Sequence, residues 1–171
     1  DLFTNQDYSN TLSEVANHGP EVFYQGWIAE LIAKNFADNG GLLDAEDLRQ
    51  YTASITDPLS TTYKGYTVTA NQPPSSGVQV LETLNILEGF DLKKMGFGTV
   101  DYFYTMAMAQ KAGFVDRGLY LGDPLFQEVP VDKMLSDDQA KMWQTRIKNK
   151  EPIEVPNLTL EPKNTTTQTE I

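Results

Sequence analysis

Residues 71–92 read NQPPSSGVQVLETLNILEGFDL, and their composition changes from turn-forming to helical within seven positions. The change predicts a helix that begins at about Gly77 and ends just before Gly89. The apolar face of this helix would consist of Val78, Leu81, Leu84 and Leu87. The segment Ser75-Ser76-Gly77 therefore has three interpretations, which are a nucleophile on a turn, an anion-binding helix start and a helix cap.

The nucleophile interpretation fails on the residues themselves. A nucleophile elbow needs the pattern G-x-S-x-G and a base within reach, but PPSSGVQ lacks the first glycine. The one histidine, His18, precedes Gly19-Pro20 at the end of a helical pattern, which is typical of a helix C-terminus. A capping role for Ser75-Ser76-Gly77 is favoured over anion binding, because serine is among the commonest residues at helix starts.

The rest of the chain alternates between helical and extended patterns. The stretch PEVFYQGWIAELIAKNFADNGG, residues 20–41, predicts one helix whose apolar stripe is core, and Asp44 with Asp47 predicts a capped helix start. Gly113 predicts close packing between helices. The other predicted helices span 10–17, 45–51, 99–123 and 137–149, and strands are predicted near 52–56 and 63–70.

Composition limits the function classes. The chain has 171 residues, 40% of them hydrophobic, and a net charge of −11 from 13 basic and 24 acidic residues. Such an excess of acidic residues argues against nucleic acid and anionic lipid as partners. No apolar run approaches the roughly 20 residues of a membrane span. With no cysteine and one histidine, we expect neither a thiolate-based nor a histidine-based metal site.

Two charged or polar segments remain. In DRGLYLGDP, residues 116–124, we interpret Arg117 between Asp116 and Asp123 as a structural clamp, in preference to a charged site in a cleft. Residues 151–171 are rich in Pro, Thr, Asn and Glu, and they predict a flexible tail after a single domain of residues 1–150.

Four linked stretches resemble the C-terminal half of the large subunit in the gamma-glutamyltransferase (gamma-glutamyltranspeptidase) family. The resemblance extends over about residues 3–135 and is carried by order and spacing as well as by composition. The stretches are TLSEVANHGPEVFYQGWIAELI, NGGLLDAEDLRQYTASITDPLSTTYKGYTV, NQPPSSGVQVLETLNILEGFDL and DRGLYLGDPLFQEVPVDKML.

The resemblance implies an α/β fold of the N-terminal-nucleophile hydrolases, an αββα sandwich to which this chain supplies helices and about two strands. It implies a precursor that cleaves itself, and a partner subunit that carries the nucleophilic threonine. It further implies transfer of gamma-glutamyl groups from glutathione-type donors to an amino acid or water, in the periplasm or outside the cell.

The departures from the family pattern concern the catalytic residues. The Thr-Thr-His-like motif that opens the small subunit is absent, so Thr165, Thr166, Thr167 and Thr169 are interpreted as a linker to the cleavage point. The family's arginine for the substrate carboxylate lies upstream of the matched segment. We therefore expect no catalytic, cofactor-binding or metal-binding residue in this chain, and no activity from it alone.

Two alternatives to a glutathione-type transferase stay open from the sequence. The first is a non-catalytic scaffold or binding module derived from the family. The second is a relative that acts on cephalosporin side chains or on poly-gamma-glutamate. A plain α/β domain of another family is disfavoured by the four linked stretches.

Overall fold

The structure is a computed structural model that describes residues 3–155. The chain divides into two compact units, with the boundary between Ile55 and Thr56, and each unit is described by itself. The first unit is helical: α1 is Gln6–His18, α2 is Glu21–Tyr24, α3 is Trp27–Asp38 and α4 is Ala45–Gln50.

Local sequence signals fix the ends of the helices in the first unit. The Asn5 side chain accepts a hydrogen bond from the Tyr8 N–H at 3.0 Å and so begins α1. At α4, the Asp44 carboxylate accepts from the Asp47 N–H at 2.9 Å, and the Asp47 carboxylate accepts from the Asp44 N–H at 3.0 Å. This reciprocal capping box confirms the helix start predicted from the two aspartates.

The single helix predicted within residues 20–41 is wrong, because the chain breaks into α2 and α3 at Gly26. A Cβ atom there would lie 2.8 Å from the Val22 carbonyl oxygen, so the break depends on a residue without a side chain. The apolar stripe is also less buried than predicted. Ile28 is buried, whereas Leu31 is 57% exposed and Phe36 is 38% exposed.

The second unit begins with an antiparallel hairpin of β1, Leu59–Tyr63, and β2, Tyr66–Ala70. The predicted strand near 52–56 is wrong, and the predicted strand 63–70 reverses direction at Lys64 and Gly65. These two residues have φ angles of 48° and 83°. Two successive positive φ angles match the twist of a two-residue hairpin, which explains why an apparently continuous strand pattern folds back on itself.

The hairpin turn requires left-handed backbone at Gly65. Gly65→Ala should lower the free energy of unfolding by about 1 kcal/mol, because an alanine side chain is strained at positive φ. Gly65→Asn should cost less, since asparagine tolerates the left-handed region. Denaturant unfolding of the whole gene product would measure both variants. Equal losses would contradict a requirement for left-handed backbone at this position.

Between the hairpin and position 155, the second unit contains five helices. They are α5, Gly77–Glu88; α6, Leu92–Met95; α7, Val100–Tyr120; α8, Val131–Met134; and α9, Asp137–Lys148. The prediction of helices at α5, α7 and α9 is confirmed, and the one-turn helices α6 and α8 are too short for their periodicity to be recognised.

Helix α5 is the centre of this unit, and it packs against the hairpin, α7, α8 and α9. A Cβ atom on Gly113 of α7 would lie 2.8 Å from the Thr83 hydroxyl oxygen of α5, which confirms the predicted close approach. One apolar cluster joins α5, α7 and α9; it consists of Ile86, Leu87, Phe90, Ala109, Ala112, Val115, Trp143, Ile147 and Ile153.

The first residues of the predicted tail belong to this cluster. Ile153 is only 3% exposed, and the Arg146 guanidinium donates to the Pro152 carbonyl at 2.8 Å. The chain therefore stays packed on the second unit beyond position 150. The rest of the tail, residues 156–171 with its threonines, lies outside the described residues, and the division at position 150 stays a prediction.

Candidate functional site

The segment Ser75-Ser76-Gly77 forms a helix start, as predicted. Ser76 is the N-cap of α5, and its carbonyl accepts from the Val80 N–H at 3.3 Å. The Ser76 side chain makes no capping hydrogen bond, however, so the prediction of a serine cap is right about position and wrong about the side chain. The Ser75 N–H donates to the Gln72 carbonyl at 3.2 Å, which closes the preceding turn.

Gly77 is the residue in this segment that the packing requires. A Cβ atom on Gly77 would collide with the Asn71 carbonyl oxygen and would lie 2.9 Å from the Asn71 nitrogen and from the Ala70 Cβ. The first turn of α5 thus lies directly against the end of β2. In the sequence, Gly77 indicated only the start of the helix, and this contact was not predicted.

The charged segment 116–124 is not the clamp that was predicted. Arg117 lies over the Phe114 ring, with its Cζ 5.8 Å from the ring centroid. Asp123 instead accepts from the Leu125 N–H at 2.9 Å. Within residues 3–155, Arg117 forms no ion pair with either aspartate. The reason is that Asp116 points into the protein interior.

Asp116 is 2% exposed and joins α7 to α9. One of its oxygens, Oδ2, accepts from the Trp143 Nε1 at 2.7 Å and from the Gln139 Nε2 at 2.5 Å. Two N–H donors satisfy the hydrogen-bonding requirement of this buried oxygen. Asp116 therefore has a structural role in holding the two helices.

Glu82 on α5 is a buried ionisable residue that the sequence reasoning missed. It is 0% exposed, and no N–H or O–H group of the described residues donates a hydrogen bond to either of its carboxyl oxygens. Burial, and next the hydrogen bond and charge of Asp116, raise the pKa of Glu82 to about 10. The spacing of the residues could have indicated that Glu82 is buried. Glu82 lies four residues after Val78 and four before Ile86, which are both buried, so the three side chains share one face of α5.

An open polar cavity of about 440 Å³ lies between β1, α5 and α9. The amide side chains that line this cavity already form hydrogen bonds within the protein. Asn85 Nδ2 donates to the Leu135 carbonyl at 3.2 Å, and Gln144 Nε2 donates to the Asn85 carbonyl at 3.1 Å. The Thr61 hydroxyl is also hydrogen-bonded to Asn85. These polar groups bind one another and hold the elements together.

Elsewhere in residues 3–155, the structure contains no conventional arrangement of catalytic or metal-binding side chains. His18 ends α1, as its sequence context predicted, and its Nδ1 lies 3.4 Å from the Glu14 carboxylate. The described residues contain no group of three or more potential metal ligands from His, Cys, Asp and Glu. None of the helices between residues 3 and 155 has both the length and the apolar character to cross a membrane.

Known proteins resemble this chain in sequence. The family model described as gamma-glutamyltranspeptidase matches residues 1–171. The glutathione hydrolase proenzyme of Escherichia coli K12 is 44% identical over 142 residues, which are 82% of this chain and 24% of that protein. The acylase ACY 1 proenzyme of Pseudomonas sp. strain V22 is 36% identical over 167 residues, 90% of this chain and 30% of that protein.

Solved structures resemble it in fold. Helicobacter pylori gamma-glutamyltranspeptidase matches with a TM-score of 0.75 and 33% identity, over 95% of this chain and 49% of that chain. Cephalosporin acylase from Bacillus halodurans matches with a TM-score of 0.73 and 34% identity, over 85% of this chain and 27% of that chain. The predicted fold class of helices with about two strands is therefore confirmed.

The chain spans about a quarter to a third of the length of the two curated relatives. The family match nonetheless extends over residues 1–171, and both curated relatives exceed 30% identity. The chain belongs to the gamma-glutamyltranspeptidase family.

Proposed function

We propose that residues 1–171 are a large-subunit segment of an N-terminal-nucleophile amidohydrolase that transfers or hydrolyses gamma-glutamyl groups of glutathione-type donors. The observation that carries this proposal is the family match over residues 1–171. Further support comes from the relative in Escherichia coli, which is named a glutathione hydrolase proenzyme. The acceptor would be an amino acid or water.

The nucleophile in this proposal is the N-terminal threonine of a partner subunit from the same precursor. A terminal threonine needs no histidine, because its own α-amine, with a pKa of about 8, acts as the base for the hydroxyl. The chemistry requires no cofactor. Since His18 pairs with Glu14 and Asp116 bonds to α9, the ionisable residues described above support a scaffold role for this chain.

Exposed apolar side chains in the second unit support a partner subunit. Phe97, Val100 and Phe103 are 87%, 84% and 59% exposed around the start of α7, and Phe114 is 50% exposed further along this helix. A cluster of this kind favours a protein interface over contact with water. Export to the periplasm or the cell exterior also belongs to the proposal and rests on the family resemblance.

An acylase acting on cephalosporin side chains is the second candidate function. It is favoured by the match to the acylase ACY 1 proenzyme over 90% of this chain and by the fold match to cephalosporin acylase. A non-catalytic module is not favoured, because the curated relatives compared above are named as a hydrolase and an acylase.

The test compares the whole gene product with residues 1–171 expressed alone. Both are incubated with a chromogenic gamma-glutamyl anilide and, separately, with a cephalosporin that carries an acyl side chain. We expect the whole product to cleave itself and to turn over the anilide, and residues 1–171 to stay at background. Preferential turnover of the cephalosporin would favour the acylase.

Two outcomes would contradict the proposal. One is turnover by residues 1–171 alone that survives further purification, because the chemistry would then lie in this chain. The other is a whole gene product that cleaves itself but turns over neither substrate.

A further inference from the structure

In the interior of the second unit, where α5 packs against α7, the carboxyl groups of Glu82 and Asp116 lie within hydrogen-bonding reach of each other. Glu82 on α5 is 0% exposed and Asp116 on α7 is 2% exposed. Two ionised carboxylates in contact away from water would repel each other and would lose their hydration. The fold must therefore compensate for at least one of the two charges.

A proton between the two carboxyl groups can remove the repulsion between them. Asp116 Oδ2 accepts from Trp143 and Gln139, whereas no N–H or O–H group of the described residues donates to either oxygen of Glu82. An ionised carboxylate only accepts hydrogen bonds, so two ionised groups cannot bond to each other. A single proton changes this, since a protonated carboxyl donates one O–H to the other group.

The same geometry assigns the proton to Glu82. Asp116 Oδ2 already accepts hydrogen bonds from two N–H donors, at 2.7 and 2.5 Å. Glu82 has no donor to stabilise a charge, and its neutral form can donate to Asp116. Burial and Asp116 both raise the pKa of Glu82, to about 10, which agrees with this assignment.

The other ionisable groups nearby do not replace the proton. On α8, Lys133 is exposed, and its Nζ donates to the Tyr120 hydroxyl at 3.0 Å. That hydrogen bond, with a smaller contribution from Asp116, raises the pKa of Lys133. On the hairpin, burial and the charge of Glu88 raise the pKa of Tyr63. The groups that face Asp116 from α9 are the uncharged Gln139 and Trp143.

We propose that Glu82 and Asp116 share one proton in the folded protein and form a buried acid latch, a pH-sensitive contact that holds α5, α7 and α9 together. Removal of the proton leaves two adjacent buried charges and loosens the three helices. The latch makes the stability of this part of the protein respond to alkaline pH, and it does not depend on which substrate the enzyme uses.

The direction of the pH effect follows from linkage. The ordinary pKa of the Glu82 carboxyl is 4.5, and the folded protein raises it to about 10. Between these values the native state binds more protons than the unfolded state, so stability falls as pH rises. The contribution of the latch is complete below the unfolded value and is lost progressively toward the folded value.

Glu82→Gln in the whole gene product provides the test. The amide has nearly the same shape, donates a hydrogen bond to Asp116 and does not titrate. From pH 6 to 9, the unfolding constant of the wild type should rise relative to that of Glu82→Gln by about tenfold per pH unit. Asp101→Asn, at an exposed position of α7, is the control and should leave the pH dependence unchanged.

Infrared spectroscopy supplies a second measurement, in which the wild-type spectrum is informative even if the variant does not fold. At pH 8 the wild type should show the C=O stretching band of a protonated carboxyl, and Glu82→Gln should lack it. Parallel pH profiles of the wild type and Glu82→Gln would overturn the latch. A wild-type spectrum without the band at pH 8 would overturn it as well, even if the variant failed to fold.

Discussion

Gly77→Ala should lower the free energy of unfolding of the whole gene product by about 2–3 kcal/mol, a loss typical of overpacked positions. The added methyl group would collide with the Asn71 carbonyl oxygen and would lie 2.9 Å from the Asn71 nitrogen and the Ala70 Cβ. Two of these atoms are backbone, so relief requires that the end of β2 move away from α5. Alanine's better helix propensity, about 1 kcal/mol, offsets only part of the cost.

Gly122→Ala is the matched control for this glycine. The three atoms nearest to its new methyl group would all belong to the side chain of Gln127, the end of which can rotate away. The expected change is within about 0.5 kcal/mol, the usual range for surface substitutions. Denaturant unfolding followed by far-UV circular dichroism measures both variants. Similar losses in the two variants would show that the contact with Asn71 does not constrain α5.

Local signals in the sequence were sufficient where a feature depends on neighbouring residues. The Asp44–Asp47 capping box and the helical period of α5, α7 and α9 involve residues three or four positions apart, and the structure confirms them. The packing role of Gly113 was also accessible, because a glycine within a helix costs stability and so indicates a close neighbour.

Features that depend on distant residues were not accessible from local patterns. The strand predicted near 52–56 fits β propensity, but the hairpin pairs Leu59 with Ala70 through a two-residue turn. The burial of Glu82 and Asp116 was missed because charged residues indicate an exposed surface unless their partners are known. Arg117 lies over Phe114, and nothing in the spacing of the charges indicated that contact.

The position of α5 explains why its sequence dominates the fold of the second unit. Its first turn lies against Asn71 at the end of β2, its middle places Glu82 beside Asp116, and its Asn85 carbonyl accepts from Gln144 of α9 at 3.1 Å. Substitutions on α7 and α9 should therefore also disturb the packing around Glu82 and Asp116. Trp143 of α9 is the largest side chain that faces Asp116 across this interior.

Trp143→Ala should lower the free energy of unfolding of the whole gene product by about 3–5 kcal/mol, as expected for loss of a buried aromatic ring. Trp143 is 3% exposed, belongs to the apolar cluster of α5, α7 and α9, and donates its Nε1 proton to Asp116 at 2.7 Å. The substitution leaves a cavity and removes one of the two donors to a buried carboxylate. Both effects act in the same direction.

Two further variants separate these causes. Trp143→Phe keeps most of the ring volume and loses the N–H donor, so it should cost about 1–3 kcal/mol, the cost of removing a hydrogen-bond partner from a buried polar group. Trp27→Ala is the matched control, because Trp27 is the other tryptophan of the chain and is 47% exposed. Its Nε1 lies 3.4 Å from the Glu14 carboxylate, at an exposed position, so its loss should cost about 1 kcal/mol or less.

Unfolding is followed by circular dichroism because the substitutions remove a fluorophore. Equal losses for Trp27→Ala and Trp143→Ala would contradict the burial of Trp143, and a Trp143→Phe variant as stable as the wild type would show that Asp116 does not need the indole donor.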